Sequence, residues 1–319
     1  MAEFLYLSDG DLDALGITPA EVADAVEQAI RDKASGDLRD APKTAILPGA
    51  GRYMMSTLAV GTREDLTVVK QVTVSPDNDA RGLPGINGAV MVLDARTGLL
   101  RALMGANWIT GARTAALSAV AARRLADPAS RVVAFIGCGT QARTHLAAFA
   151  GMFPLAEIRA VGRGRAKVDA FCDHARGMGL TASAAETAAA AIRGADIVVS
   201  SITLDHSVEP FLDARWLKPG AFAAITDLGI PWLPDGMTAL GQVVIDDRAQ
   251  EDAMDKKMVD PGLVTADLTE MVGGAVAIAH DPARPSAFIF RGLALGDYAA
   301  AALALARAEA RDAGRRLPI

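Results

Sequence analysis

The stretch that most constrains the fold begins at Arg131. Val132-Val-Ala-Phe-Ile136 is an unbroken apolar run, followed at once by Gly137-x-Gly139-x-x-Ala142 and an alanine-rich segment. Such a run suits a buried parallel strand, and glycines placed between a strand and a helix form a dinucleotide-binding turn. Gly137 permits the tight turn, bare Gly139 lets a pyrophosphate approach the backbone, and small Ala142 lets the helix pack close to the strand. The first helical residues, Thr140, Gln141 and Ala142, then turn their amides toward the phosphates. A glycine turn in an unrelated α/β unit would share the glycines, but the strand before and the helix after favour a nucleotide.

Beyond the turn, strand and helix patterns alternate. Strands are expected at Ile158–Val161, Thr181–Ser183, Ile197–Ser201, Phe222–Ile225 and Val243–Asp246, with helices at Arg165–Met178 and Ala185–Arg193. This alternation predicts an α/β chain with a Rossmann doubly wound parallel sheet, whose ligands gather at the carboxyl ends of the strands. The second strand ends in Val161-Gly162-Arg163-Gly164-Arg165, without the acid that usually takes the ribose hydroxyls of NAD. The cofactor is therefore read as NAD(H) or NADP(H), with Arg163 and Arg165 suited to a 2′-phosphate or to plain surface. Asp227 follows the strand Phe222–Ile225, where an aspartate either shapes a turn or acts as a catalytic acid. His206, in Thr203-Leu-Asp-His-Ser207, is a ligand for an acidic group or an ordinary loop histidine.

The N-terminal part has a different texture. Ser8-Asp-Gly-Asp11 reads as a helix start and Thr18-Pro-Ala-Glu21 as a better one, with a capping threonine, proline in the first turn and an acid three residues on. Strands follow at Thr44–Leu47, Tyr53–Leu58, Leu66–Val74, Ile86–Asp94 and Leu99–Leu103, separated by short turns. Consecutive strands with short turns predict an antiparallel or mixed sheet. Along Leu66–Val74, alternation puts Lys70 on the apolar face with Val68, Val72 and Val74. It is an edge-protecting lysine or an ammonium in a half-buried pocket with a lowered pKa. Arg113 lies among small and apolar residues, and a guanidinium stays charged wherever it is buried. It pairs with a protein carboxylate or clamps the carboxylate of a substrate. The apolar tail Ala287–Tyr298 leads to an alanine-rich helix at Ala299–Ala313 that needs a packing partner.

Bulk properties exclude several classes. A net charge of -6 argues against a nucleic-acid partner. Cys138 and Cys172 lack metal-ligand spacing, so no metal is expected and a reducing, cytoplasmic setting is. The start of the chain carries an acid where a signal peptide carries lysines, and no apolar run approaches membrane-spanning length, so no membrane partner is expected.

An ordered series of motifs resembles the ornithine cyclodeaminase and mu-crystallin family. It runs through Val69-Lys70, Pro76-Asp-Asn78, Gly82-Leu-Pro84, Leu93-Asp-Ala-Arg-Thr-Gly98, Thr110 with Arg113-Thr-Ala-Ala116, the glycine turn, Phe288, Gly292-Leu-Ala294 and Asp297. The resemblance implies a homodimer whose first domain supplies the pairing sheet, with a Rossmann domain inserted. The expected boundaries are 1–128 with 299–319 for the discontinuous α+β substrate and dimerisation domain, and 129–298 for the dinucleotide-binding domain. By the same resemblance Lys70 is the active-site lysine, Arg113 the carboxylate-binding arginine and Asp227 the catalytic aspartate, while Thr110 and Asp297 line the cofactor cleft. The family commonly has arginine after the proline where this chain has Pro42-Lys43, and Arg52 is the compensating candidate. The cyclodeaminase loop after the aspartate is replaced by Leu228-Gly-Ile-Pro-Trp232, which counts against ornithine cyclisation.

The reaction expected is hydride transfer between a nicotinamide and the α-carbon of an α-imino or α-amino acid. Arg113 with Lys43 or Arg52 holds the carboxylate, Lys70 polarises or protonates, and Asp227 favours the iminium. The number of cations points to a dicarboxylate, with iminosuccinate reduced to aspartate as the leading expectation. Cyclic ketimine reduction, alanine dehydrogenation and ornithine cyclodeamination stay open. So does a nucleotide-dependent binding protein of the crystallin type.

Overall fold

The computed structural model describes residues 3–49, 51–205 and 207–319, so His206 lies outside the described residues. In chain order the elements begin with β1 (Glu3–Leu7), α1 (Asp9–Ala14), α2 (Pro19–Ser35), β2 (Leu38–Asp40), β3 (Thr44–Gly49), β4 (Arg52–Gly61) and β5 (Leu66–Val74). Then come β6 (Ile86–Asp94), β7 (Leu100–Gly105), α3 (Ala106–Leu125), β8 (Val132–Ile136), α4 (Thr140–Ala150), β9 (Glu157–Val161), α5 (Arg165–Gly177) and β10 (Thr181–Ala184). The remainder is α6 (Ala188–Ile192), β11 (Ile197–Ser200), β12 (Phe222–Ile225), β13 (Gln242–Ile245), α7 (Arg248–Asp252), β14 (Val264–Asp267), α8 (Leu268–Gly273), β15 (Ser286–Ile289), α9 (Ala294–Arg311) and β16 (Arg315–Pro318). They group into two compact units, Met1–Ala116 with Gly292–Ile319, and Leu117–Arg291, a division that falls inside α3 and just before α9. Among the described residues no helix is long and apolar enough to cross a membrane.

The first unit is built on a sheet of order β16-β1-β7-β6-β5-β4-β2, with β3 paired to β4. Its ladders are antiparallel except the β1–β7 pair. Thr18 caps α2 through reciprocal bonds with Glu21, as its sequence predicts, and Ser8 caps α1 in the same way with Asp11. Residue alternation on β5 buries Leu66, Val68, Lys70, Val72 and Val74 on one face. The alanine-rich α9 packs on β4 and β5 and on α2. Its small side chains allow close approach, and Ala300, Ala301 and Ala304 are fully buried. Helix α9 starts at Ala294, earlier than the expected Ala299, which places Asp297 in its first turn.

The second unit is an all-parallel sheet of order β10-β9-β8-β11-β12-β15-β13-β14. Its first five strands in space run in the order of a dinucleotide-binding sheet, with β8 and β11 meeting at the switch point. Strands β13 and β14 are laid down on the outside before β15 returns between β12 and β13. One apolar layer collects Ile136, Val198, Ile225 and Ile289 with Trp232 and Met237. The expected helix at Ala185–Arg193 is shorter, because Thr187 caps it through the amide of Ala190.

Candidate active site

In the first unit, Lys70 is completely enclosed, at 0% exposure. Strand β5 is paired along its length with β4 on one side and β6 on the other, so this is not an edge lysine. Cross-strand pairing sets Thr57 directly beside Lys70, and both reach Asp297 at the start of α9. Lys70 Nζ donates to Asp297 Oδ1 at 2.5 Å, and Thr57 Oγ1 donates to Oδ2 at 2.8 Å. Arg113 Nε lies 3.1 Å from the same Oδ1. That is an ion-pair distance, but the N–H is not aligned with the oxygen and stays without a hydrogen-bond acceptor. Two buried cations therefore share one buried carboxylate, which leaves one positive charge in surplus.

Electrostatics follow from this count. Burial, with Arg113 close by, lowers the Lys70 ammonium to about 8, although Asp297 pulls the other way. Burial on its own raises the Asp297 carboxyl, but Lys70 and Arg113 outweigh it and hold the group below its ordinary value. Asp297, which the resemblance put on a cofactor cleft, is thus seen here as the counter-ion of both cations. Lys43 is half-buried and close enough to add positive field at Lys70, with its Nζ 6.0 Å from the centre of the Tyr53 ring. Arg52 stands exposed where β3 turns into β4, its Nε 3.4 Å from the carbonyl of Gly49. One turn before Arg113 on α3, the buried hydroxyl of Thr110 has no partner among the described residues, and neither has the amide oxygen of Asn107 a further turn back. Asn107 was not singled out in the sequence. Its spacing from Thr110 and Arg113 is the signal that could have found it.

In the second unit the glycine turn is shaped for close approach. Gly137 has φ of +98°, and a Cβ there would lie 2.6 Å from the carbonyl oxygen of Ser201. Gly139 precedes α4 without a side-chain cap, and a Cβ on it would meet open space. Among the described residues no side chain caps the first amides of α4, at Thr140, Gln141 and Ala142, and an uncapped helix start suits an anion. Ala142 is buried, as close helix–strand packing requires. Ser201, beside Gly137, has a buried hydroxyl with no partner among the described residues, and no local pattern in the sequence marks it. Arg163 is exposed at the end of β9, whereas Arg165 is tied to Asp169 at 2.9 Å. Burial pushes the Cys138 thiol up to about 11, which rules out a resting thiolate.

Asp227, at the carboxyl end of β12, is 1% exposed. Ser200 Oγ donates to its Oδ1 at 3.0 Å and the amide of Ile202 to its Oδ2 at 3.2 Å. Burial raises the carboxyl to about 6 even though these donors favour the anion. Among the described residues it has no cationic partner in an ion pair. An enclosed carboxylate ionised at neutral pH without a counter-ion suits a ligand that carries or develops positive charge.

Residues 14–311 match the sequence profile of the ornithine cyclodeaminase/mu-crystallin family. The ketimine reductase mu-crystallin of Rattus norvegicus is 31% identical over 250 residues, 77% of this chain and 77% of that protein. A Δ1-pyrroline-2-carboxylate/Δ1-piperideine-2-carboxylate reductase of Azospirillum brasilense is 37% identical over 162 residues, 51% of each. The chain thus spans about half the length of some curated relatives and about three quarters of others. An archaeal alanine dehydrogenase dimer with bound NAD has the same fold, with a TM-score of 0.87 and 26% identity over 100% of both chains. Its glycine turn and parallel sheet have the form of a dinucleotide-binding unit. Since the profile takes in nearly the entire chain and a relative above 30% identity covers three quarters of it, the chain belongs to the ornithine cyclodeaminase/mu-crystallin family.

Proposed function

We propose that this protein reduces an α-imino acid to the α-amino acid with NADH or NADPH. The observation that carries the reading is the surplus positive charge buried around Lys70, Arg113 and Asp297, which fits one substrate carboxylate. When bound, the cofactor supplies a hydride to the imine carbon. Its pyrophosphate is assigned to Gly137, Gly139 and the amides of Thr140, Gln141 and Ala142. Arg113 seats the carboxylate and limits its rotation. Lys70, still mostly protonated at pH 7, polarises the substrate and can give up a proton. Asp227, mostly ionised at that pH, favours the protonated imine, whose carbon is the better acceptor.

Substrate class follows the charge count. A surplus of one fits a monocarboxylate, and the ring imines on which the Azospirillum relative is named to act are of this kind. Iminosuccinate is the second reading, and Lys43 favours it as a half-buried cation near Lys70. Arg52, exposed at its turn, adds nothing to that case. Absorbance of reduced nicotinamide, followed with Δ1-pyrroline-2-carboxylate, Δ1-piperideine-2-carboxylate and oxaloacetate plus ammonia, separates the two. Nucleotide binding without consumption on any imine would instead support a carrier.

The protein is further proposed to be a homodimer, and its two free cysteines, Cys138 and Cys172, fit a reducing, cytoplasmic setting. The support for the dimer is an apolar stripe on the outer face of the first sheet, where Leu58, Val69 and Met91 stand in cross-strand register and Leu58 and Met91 are 44% and 41% exposed.

A further inference from the structure

We propose that Trp232 and Ser200 are positioning residues, forming a one-way hydrogen-bond relay that directs the Ser200 proton onto Asp227 and so holds Asp227 as an anion. The inference rests on the reading above for its use, but on geometry for its existence. The indole N–H of Trp232 donates to Ser200 Oγ at 2.9 Å, and Ser200 Oγ lies 3.0 Å from Asp227 Oδ1. An indole can only donate and an ionised carboxylate can only accept. Ser200 Oγ therefore accepts from Trp232, and its own proton goes to Asp227. Ser200 is 0% exposed and Trp232 2%, so water does not compete at the hydroxyl.

The loop after Asp227 both presents the Gly229 backbone to the carboxylate and returns Trp232 to Ser200. Leu228 and Gly229 both take positive φ, +61° and +71°. The amide of Ile230 donates to the Asp227 carbonyl at 3.1 Å and that of Trp232 to the Gly229 carbonyl at 3.0 Å. Two tight turns in succession bring Trp232 back over β11, where its ring joins the apolar layer under the sheet while its N–H reaches Ser200. A left-handed leucine is uncommon and costs about 1–3 kcal/mol, so the loop holds this shape against its own preference.

Among the described residues, competing charges are few. Strands β11 and β12 bring no charged side chain to Asp227. The backbone that supports Gly229 comes from Met258, and the neighbouring Lys257 ammonium is held by the carbonyls of Glu251, Asp252 and Met254. Asp235, in the turn that follows Trp232, is exposed. Burial raises the Asp227 carboxyl, and hydrogen bonds rather than ion pairs oppose that rise.

The test is a carboxyl-carbon NMR titration of the full, nucleotide-free chain, with the Asp227 signal assigned by its loss in Asp227→Asn. Removing one hydrogen bond to a buried carboxylate in Ser200→Ala should raise the Asp227 pKa by about one to two units. Trp232→Phe, which frees the hydroxyl to rotate, should raise it by less, and Ser200→Thr should restore it. A folded Ser200→Ala or Trp232→Phe protein with an unmoved titration overturns the relay. If Ser200→Ala does not fold, Trp232→Phe and Ser200→Thr decide the matter alone. Imine reduction is judged separately: full turnover by Asp227→Asn would remove the catalytic reading while leaving a shifted titration, and the relay, intact.

Discussion

At the scale of single residues, the count of charges around Asp297 makes an unequal prediction for its partners. Asp297→Asn leaves Lys70 and Arg113 as two buried cations without an anion and should cost about 3–5 kcal/mol. Lys70→Met leaves the Arg113–Asp297 pair neutral and should cost less than about 2 kcal/mol. Urea unfolding of the two variants checks this order, and equal losses would contradict the shared-anion account. The pH dependence of turnover belongs to the same residues. Asp227 takes up a proton as pH falls through about 6, and Lys70 gives one up as pH rises through about 8. Plotted against pH, kcat/KM should be bell-shaped between those values, and Asp227→Asn should erase the acid limb along with most of the turnover. Stability carries the same signature with a definite sign. The folded chain keeps the Asp227 proton up to a higher pH than the unfolded chain, so this residue stabilises below about 4 and loses that contribution as pH rises to about 6. For Lys70 the unfolded chain holds its proton longer, so stability gains as pH rises from about 8 toward 10.5.

At the scale of elements, local patterns revealed those elements whose sequence carries their own ends. Strands β5, β6 and β12 span the residues expected of them, because alternation or an apolar run is bounded by glycine, proline or aspartate. Strands β1, β15 and β16 were not legible, since four or five residues show little periodicity and their partners are distant in sequence. The face that Lys70 occupies is legible in the alternation of β5, but its partner is 227 residues away and no local pattern announces it. The start of α9 was placed too late, since Gly296 in its first turn looks like a break although the surrounding packing tolerates it. That early start brings Gly292 to Arg113. Gly292 has φ of +93°, and a Cβ there would lie 2.4 Å from Arg113 Nη1. Gly292→Ala should therefore displace the guanidinium and raise KM about tenfold while altering kcat less, with about 1–2 kcal/mol of stability lost to the backbone. Steady-state kinetics with an imine substrate read the first effect, and an unchanged KM would show that Arg113 does not seat the carboxylate.

At the scale of the whole molecule, the exposed stripe on the first sheet and the inventory of buried charge serve different ends. Leu58 and Met91 lie on the face of β4 and β6 opposite the one that covers Lys70. Charged substitutions there should leave the cation cluster unperturbed. Light scattering of the wild type should give a dimer, and Leu58→Lys with Met91→Lys should give a folded monomer. A wild-type monomer would remove the dimer assignment. The central claim, reduction at the α-carbon of an imino acid, is tested most directly by isotope transfer. Reduced nicotinamide carrying deuterium at C4 on the transferable face, incubated with the protein and Δ1-pyrroline-2-carboxylate, should yield proline with one deuterium at Cα by mass spectrometry. Recovery of the imine unchanged, or proline without the label, from protein shown to bind the nucleotide, would contradict it.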